Sequence, residues 1–275
     1  MKFLYILIIF FSFSLKIFAC ECNVPSSVEE FTTSDYVFEG IVVSKKYSKD
    51  YLTYKITFKI LKHYKNGNNP KNLSFVLTSE SRYTKNVTSC NWDVNINEKW
   101  LVYVNKSSDG ELYFSKYCSN SQQINSPLYY RYQRWLDNVK KLKLDDFIYD
   151  NEFRTNFSVS YSPVDSIFKN GLKKEYDDKY IGLYLLIDKE GNLKSANMQN
   201  QLIPIYDSIY NLKKDIQIVP TIQISEFATD AIELILNVKK WEIRRIPVSK
   251  IPISYIQFIG IYYEANEKKW KYELR

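Results

Sequence analysis

The sequence predicts a mainly β chain with an α+β second half. A small five-stranded barrel followed by a helix comes first, and a separate strand–strand–helix–strand unit follows. Three observations predict this. Aromatics are abundant, with 24 Tyr and 16 Phe beside many Ile and Val, which suits strands. Five short β-patterned stretches lie between residues 35 and 117, separated by turn residues, the spacing of a Greek-key barrel. Beyond residue 160 the pattern becomes hairpin, helix, strand.

Residues 1–19 read as a secretory signal peptide. Lys2 supplies a positive start, Phe3 to Leu15 is apolar apart from serines, and small Ala19 precedes Cys20. The run is shorter than the roughly 20 residues a membrane span needs. Two processing chemistries fit Ile17-Phe18-Ala19-Cys20. A signal peptidase cutting after Ala19 would make Cys20 the first residue. The same residues half-match a bacterial lipobox, with bulky Phe18 as the departure. A lipid on Cys20 would add about 0.8 kcal/mol of anchoring per buried methylene. The expected location is the periplasm, the cell surface or the medium, with membrane attachment only through such a lipid.

In the first domain, Asp35 to Ser44 is β-branched and aromatic, and Gly40 marks a bulge or bend. Tyr51 to Leu61 alternates, with Tyr54, Ile56, Phe58 and Ile60 on one face and Lys55, Thr57 and Lys59 on the other. Lys65 to Pro70 is a loop. Leu73 to Leu77, Trp100 to Val104 and Leu112 to Tyr117 complete five strands, the last two joined by the hairpin signal Ser107-Ser108-Asp109-Gly110. From Pro127, Leu128, Tyr132, Trp135, Leu136, Val139 and Leu142 repeat at helical spacing, predicting a helix that packs on the barrel. The polar stretch 144–160 reads as a linker.

The second domain spans residues 161–275. Asp165 to Tyr176 predicts a short helix, and Ile181 to Ile187 a dense apolar strand. The turn Asp188 to Asn192, with Gly191 free to take positive φ, leads to a partner strand at Leu193 to Met198. Residues 199–224 carry apolar patches broken by Pro204 and Pro220 and are left unassigned. Ser225 caps a helix with a broad apolar face that ends at Lys239-Lys240-Trp241. Ile253 to Tyr263 is the final strand.

The net charge of +7 is scattered among acids, which argues against a nucleic-acid partner. Cys20, Cys22, Cys90 and Cys118 behind an export signal imply disulfides, with three pairings open. A Cys-x-Cys pair with two isolated cysteines lacks the paired spacing of structural zinc sites, so neither metal nor cofactor is expected. His63 is the only histidine and reads as surface decoration. No Gly-rich phosphate loop occurs.

An amino-terminal Cys20-Glu21-Cys22 is followed by the strand Ser34-Asp35-Tyr36-Val37-Phe38-Glu39-Gly40-Ile41-Val42-Val43. Ser89-Cys90 then precedes Trp100-Leu101-Val102-Tyr103, and Tyr117-Cys118 follows the last strand, ahead of a helix. Together these resemble the netrin-like domain of the tissue inhibitors of metalloproteinases, in its shorter bacterial version, over residues 20–143. The resemblance implies an OB-type barrel and two disulfides, Cys20–Cys90 and Cys22–Cys118, that pin the amino-terminal segment. They would close loops of about 70 and 95 residues, each contributing about 2–4 kcal/mol. A lipidated Cys20 would leave Cys90 without that partner. In the animal inhibitors the first cysteine's α-amine and carbonyl chelate the protease's zinc and the second residue enters the specificity pocket. Those roles fall here on Cys20 and Glu21, beside Cys22, and Glu21 departs from the family by bringing a carboxylate to an apolar pocket.

The hairpin Ile187-Asp188-Lys189-Glu190-Gly191-Asn192-Leu193, the Lys239-Lys240-Trp241-Glu242 helix ending and the last strand resemble the TonB carboxy-terminal domain over residues 166–264. That resemblance implies a ββαβ fold and a tendency to pair strand edges with a partner. TonB's anchor helix and Pro-rich spacer are missing. The resulting expectation is a cell-envelope protein that is not an enzyme and acts by binding or scaffolding an envelope or extracellular protein. The alternative is a metalloprotease inhibitor using a free Cys20. An enzyme is the remote third reading, and no catalytic constellation in the sequence supports it.

Overall fold

A computed structural model describes residues 24–67, 69–85, 92–125, 129–150, 162–177, 179–220 and 224–275. Among the described residues strand accounts for 40% and helix for 21%, in two sheets, so the mainly β expectation holds. The chain divides into two compact units, Met1–Tyr129 and Tyr130–Arg275.

In the first unit, helix α1 (Ser27–Thr33) precedes β1 (Tyr36–Tyr47), β2 (Thr53–Lys65) and β3 (Asn72–Thr78). A single helical turn, α2 (Ser81–Thr84), then leads to β4 (Lys99–Lys106) and the two-residue strands β5 (Leu112–Tyr113) and β6 (Gln122–Gln123). The sheet order is β3-β2-β1-β4-β5, with β6 also on β4, and the sheet curls into a half-barrel. The expected five strands are present, but the last is shorter than the predicted 112–117. Alternation on β2 is as predicted: Tyr54, Ile56 and Phe58 are buried, Ile60 is half-buried, and Lys55 and Lys59 are exposed. The β1–β2 register shifts between Glu39 and Gly40. A Cβ at Gly40 would meet the Phe38 ring at 2.9 Å and the Lys59 carbonyl at 3.2 Å, so only glycine lets the strands approach there. At the β4–β5 turn, Gly110 takes φ 88° and its N–H donates to Ser107 O at 3.0 Å.

The half-barrel core is aromatic. Phe75 and Phe114 meet edge to face at 4.9 Å between centroids, with Phe58 on one side and Trp92 on the other. Such pairs stabilise by roughly 0.5–1.5 kcal/mol beyond their burial.

The second unit opens with helix α3, which starts at the last residue of the first unit (Tyr129–Asn138). The predicted linker region is structured in part. Phe147 and Tyr149 are buried, and β7 (Ile148–Tyr149) lies parallel to the last long strand. Next come α4 (Ser162–Lys169), β8 (Tyr180–Ile187), β9 (Leu193–Asn197), β10 (Leu202–Tyr206) and β11 (Lys213–Ile218). Helix α5 (Glu226–Leu236), β12 (Ser254–Glu264) and β13 (Lys269–Leu274) complete the unit. The sheet order is β10-β11-β7-β12-β8-β9, with β13 also on β12. Residues 199–224, unassigned from sequence, include the β10–β11 hairpin.

Two predicted helices are shorter than their apolar spacing suggested. The helix expected at 165–176 ends at Lys169. Gly171 follows it, packed so closely on Trp270 that a Cβ would lie 2.6 Å from the indole. Helix α5 starts as predicted, with Ser225 Oγ accepting the Ala228 N–H, but stops at Leu236. Trp241 lies beyond the helix and donates its backbone N–H to Gly191 O at 2.9 Å, in the β8–β9 turn.

Helix α5 packs its Phe227, Ala231 and Ile235 face over β8 and β12. Trp270 stacks on Phe227 at 5.2 Å and meets Tyr176 and Tyr263 edge to face. On the far edge of β12, β7 pairs only as far as Tyr255 and β13 only from Ile259 onward. Buried Gln257 fills the interval. Its Nε2 donates to Phe258 O and Arg275 O, and its Oε1 accepts from buried Arg244. The Arg244 guanidinium also donates to Asp150 O and lies 3.9 Å from the Tyr255 ring centre.

Candidate functional site

The site is the end of the half-barrel where the chain enters it. Ser26 caps α1, its Oγ accepting the Glu29 N–H at 3.2 Å. A seven-residue helix is not stable by itself, so its position depends on what holds it. Glu30, 2% exposed, reaches into the loop after β5, and its Oε2 accepts both the backbone N–H and the Nδ2 of Asn120 at 2.6 Å. The same Nδ2 donates to Pro25 O at 3.0 Å. At the other end of the helix, Lys65 Nζ donates to the carbonyls of Phe31, Thr32 and Ser34 at 2.8, 2.9 and 2.6 Å. Those carbonyls carry the negative end of the helix dipole, so a cation belongs there.

Burial raises the pKa of Glu30. Hydrogen bonds from Ser119 and Asn120 oppose the shift without reversing it. Burial likewise lowers the pKa of Lys65, against the pull of Asp35. Neither group is placed for proton transfer; each holds chain in place. The Asn120 loop is itself anchored to the sheet, because Ser121 Oγ accepts the Tyr103 N–H at 2.9 Å and bonds Ser119 Oγ at 2.8 Å. Cys118 lies in this loop, its N–H donating to Ser115 Oγ at 3.3 Å. Cys20, Glu21, Cys22 and Cys90 lie outside the described residues. Pro25 follows Cys22 by three positions and Asn120 follows Cys118 by two, so the clamp brings the chain next to one cysteine against the loop of another.

A second cluster lies elsewhere on the half-barrel. Lys45 Nζ, its side chain 9% exposed, contacts Glu80 at 3.1 Å and Asp93 at 2.6 Å and sits 4.2 Å from the Tyr54 ring centre. Tyr47 OH donates to Glu80 Oε1 at 2.6 Å. Burial alone would raise the pKa of Glu80, but hydrogen bonds from Tyr47, its own backbone and Lys45 bring it down to about 2. His63 Nε2 lies 2.9 Å from Pro70 O, across the loop after β2, which gives it a structural contact. Among the described residues, no group of three or more His, Cys, Asp or Glu is placed to hold a metal ion. No described helix is long and apolar enough to cross a membrane.

Compared with known proteins, the chain matches no family model and no curated protein.

The sequence reading missed α1, Glu30, Lys65 and Asn120. One local signal was available: Ser26-Ser27-Val28-Glu29 fits the Ser-x-x-Glu pattern of a helix start. Nothing local marks the clamp, because Glu30 and Asn120 are 90 residues apart.

Proposed function

We propose that the chain is an exported cell-envelope protein that acts by binding other proteins. In this reading a netrin-like OB-type half-barrel presents the Cys20–Cys22 segment as part of its contact surface. The observation that carries it is the Pro25–Asn120–Glu30 clamp, which fixes the chain after Cys22 against the Cys118 loop. That placement favours a Cys22–Cys118 bridge, with Cys20–Cys90 as its companion. The strand order supports the OB-type reading, since joining β3 to β5 would close β3-β2-β1-β4-β5 into a barrel of OB connectivity. In the second unit, β8, β9, α5 and β12 follow one another as ββαβ, apart from the inserted β10–β11 hairpin, and the adjacent order β9-β8-β12 supports a TonB-C-like module.

The test uses chain recovered from its native host. Its intact mass is compared with and without reduction before alkylation. A photoreactive residue is then placed at Val24, 48% exposed, or at exposed Lys55 as a control. Expected are four thiols alkylated only after reduction and a discrete protein adduct from position 24 alone. Four thiols alkylated without reduction, or equal adducts from both positions, would overturn the reading.

A further inference from the structure

Within the second unit an open cleft of about 600 Å³ runs between β13 and the segment formed by α4 and its following loop. Five lysines line it: Lys169 and Lys173 on one wall, Lys268, Lys269 and Lys271 on the other. Lys269 pairs with Glu267 at 2.9 Å, and Lys271 pairs with Glu264. Lys169, Lys173 and Lys268 have no acidic partner among the described residues, and all three are exposed. The one carboxylate in the lining, Asp165, accepts the Tyr272 hydroxyl at 2.7 Å. Three ammonium groups therefore line the cleft outside any ion pair, and the lining carries five lysines against the single carboxylate of Asp165. Lys268 also occupies a left-handed backbone position (φ 49°), where glycine or asparagine would be less strained, at the tip of the β12–β13 turn.

The cleft also has an apolar wall. Phe168 and Trp270 form its buried floor, 4% and 6% exposed, and Tyr272 meets Phe168 edge to face at 5.3 Å, so the accessible aromatic surface is that of Tyr272 and Tyr262. Phosphate recognition favours the planar fork of arginine, and the lining contains none. Separated lysines along an aromatic wall suit spaced carboxylates carried on a chain with apolar side chains between them.

We infer that this cleft docks an acidic peptide segment of a partner protein, with Lys169, Lys173 and Lys268 facing its carboxylates and the Tyr262 and Tyr272 rings taking its apolar side chains. The inference stands on the second unit alone, and the disulfide-pinned reading of the first unit can fail without it.

The test is fluorescence anisotropy of the full chain with a labelled peptide alternating Glu and Leu, at low and moderate salt. A Gln/Leu peptide and a single-stranded oligodeoxynucleotide of equal charge serve as comparisons. Lys169→Glu/Lys173→Glu is compared with Lys55→Glu/Lys59→Glu, which changes net charge equally on exposed β2 positions of the first unit. Circular dichroism verifies that both variants are folded. Expected is salt-sensitive binding of the Glu/Leu peptide, weakened about tenfold by the cleft pair and unchanged by the control pair. No binding at low salt, equal loss in both variants, or equally tight binding of the oligonucleotide would overturn the proposal.

Discussion

Replacing Glu30 isolates one buried carboxylate. Its Oε2 accepts two hydrogen bonds from Asn120 at 2.6 Å, and its described hydrogen-bond partners are neutral. Glu30→Ala leaves the Asn120 N–H and Nδ2 short of an acceptor in a site from which water is largely excluded. Hydrogen bonds to a charged group contribute about 1.5–3 kcal/mol each, and relieving the buried charge offsets part of that, so a net loss of about 2–3 kcal/mol is expected. Glu30→Gln keeps an acceptor and removes the titration. The sign follows from the raised pKa. The folded protein holds the Glu30 proton more tightly than the unfolded chain, so this group's contribution is fully present below the unfolded value of 4.5. It is lost as pH rises through the folded value. The stability of Glu30→Gln minus wild type should therefore increase from acid to neutral pH, whatever the other carboxylates do, because they cancel in the difference. Urea unfolding across that range gives the curve, and hydrogen exchange at the Asn120 amide localises it to the clamp. A flat or falling difference, with Asn120 protection unchanged in Glu30→Ala, would refute the reasoning.

Three further outcomes follow. Lys45→Met leaves Glu80 and Asp93 facing each other and should lose about 2–3 kcal/mol at neutral pH. Because the folded pKa of Glu80 is depressed to about 2, its stabilisation is present above the unfolded value and lost as pH falls toward 2, so the variant's acid limb should flatten in thermal melts. Gly191→Ala should lose about 1–3 kcal/mol by the same assay, since φ is 78° and a Cβ would lie 2.6 Å from Trp241 O; an unchanged melt would show that the turn yields. Pro204→Val should promote self-association in sedimentation velocity. Val219 N–H donates to Gln201 O, which sets the pairing so that the Pro204 nitrogen faces away from β11 at the end of the sheet order. The added N–H, between exposed Ile203 and Ile205, would make a strand edge able to pair with a copy, and an unchanged sedimentation profile would count against that role for Pro204.

What was legible in the sequence was what is local. Tyr54, Ile56 and Phe58 announce a half-buried strand by period alone, and Asp109-Gly110 and Glu190-Gly191 announce turns because positive φ favours glycine. Ser225 announces a helix start, but the helix stops at Leu236 and the chain beyond it is held by a hydrogen bond from Trp241 to a turn 50 positions earlier. β7 is two residues long and carries no period, and β10–β11 is mostly exposed on both faces, so neither shows an inside and an outside. The pairs that hold α1 in place are remote, Glu30 with Asn120 and Lys65 with the α1 carbonyls, and so are Lys45 with Glu80 and Asp93 in the second cluster. Identity and spacing along one stretch of chain do not specify such pairs.

The clamp on α1 also bears on the order of events as the chain is made. Synthesis delivers Pro25 and Glu30 early, yet the group that holds them, Asn120, emerges about 90 residues later. At roughly 5–20 residues per second, that is several seconds in which Pro25 and Glu30 lack their partner, with only Lys65 made early enough to hold the other end of the helix. Contacts of such separation carry a large loop-closure penalty and form late. The amino-terminal segment is thus among the last parts of its unit to settle, and during that interval it is open to whatever processes, modifies or captures it.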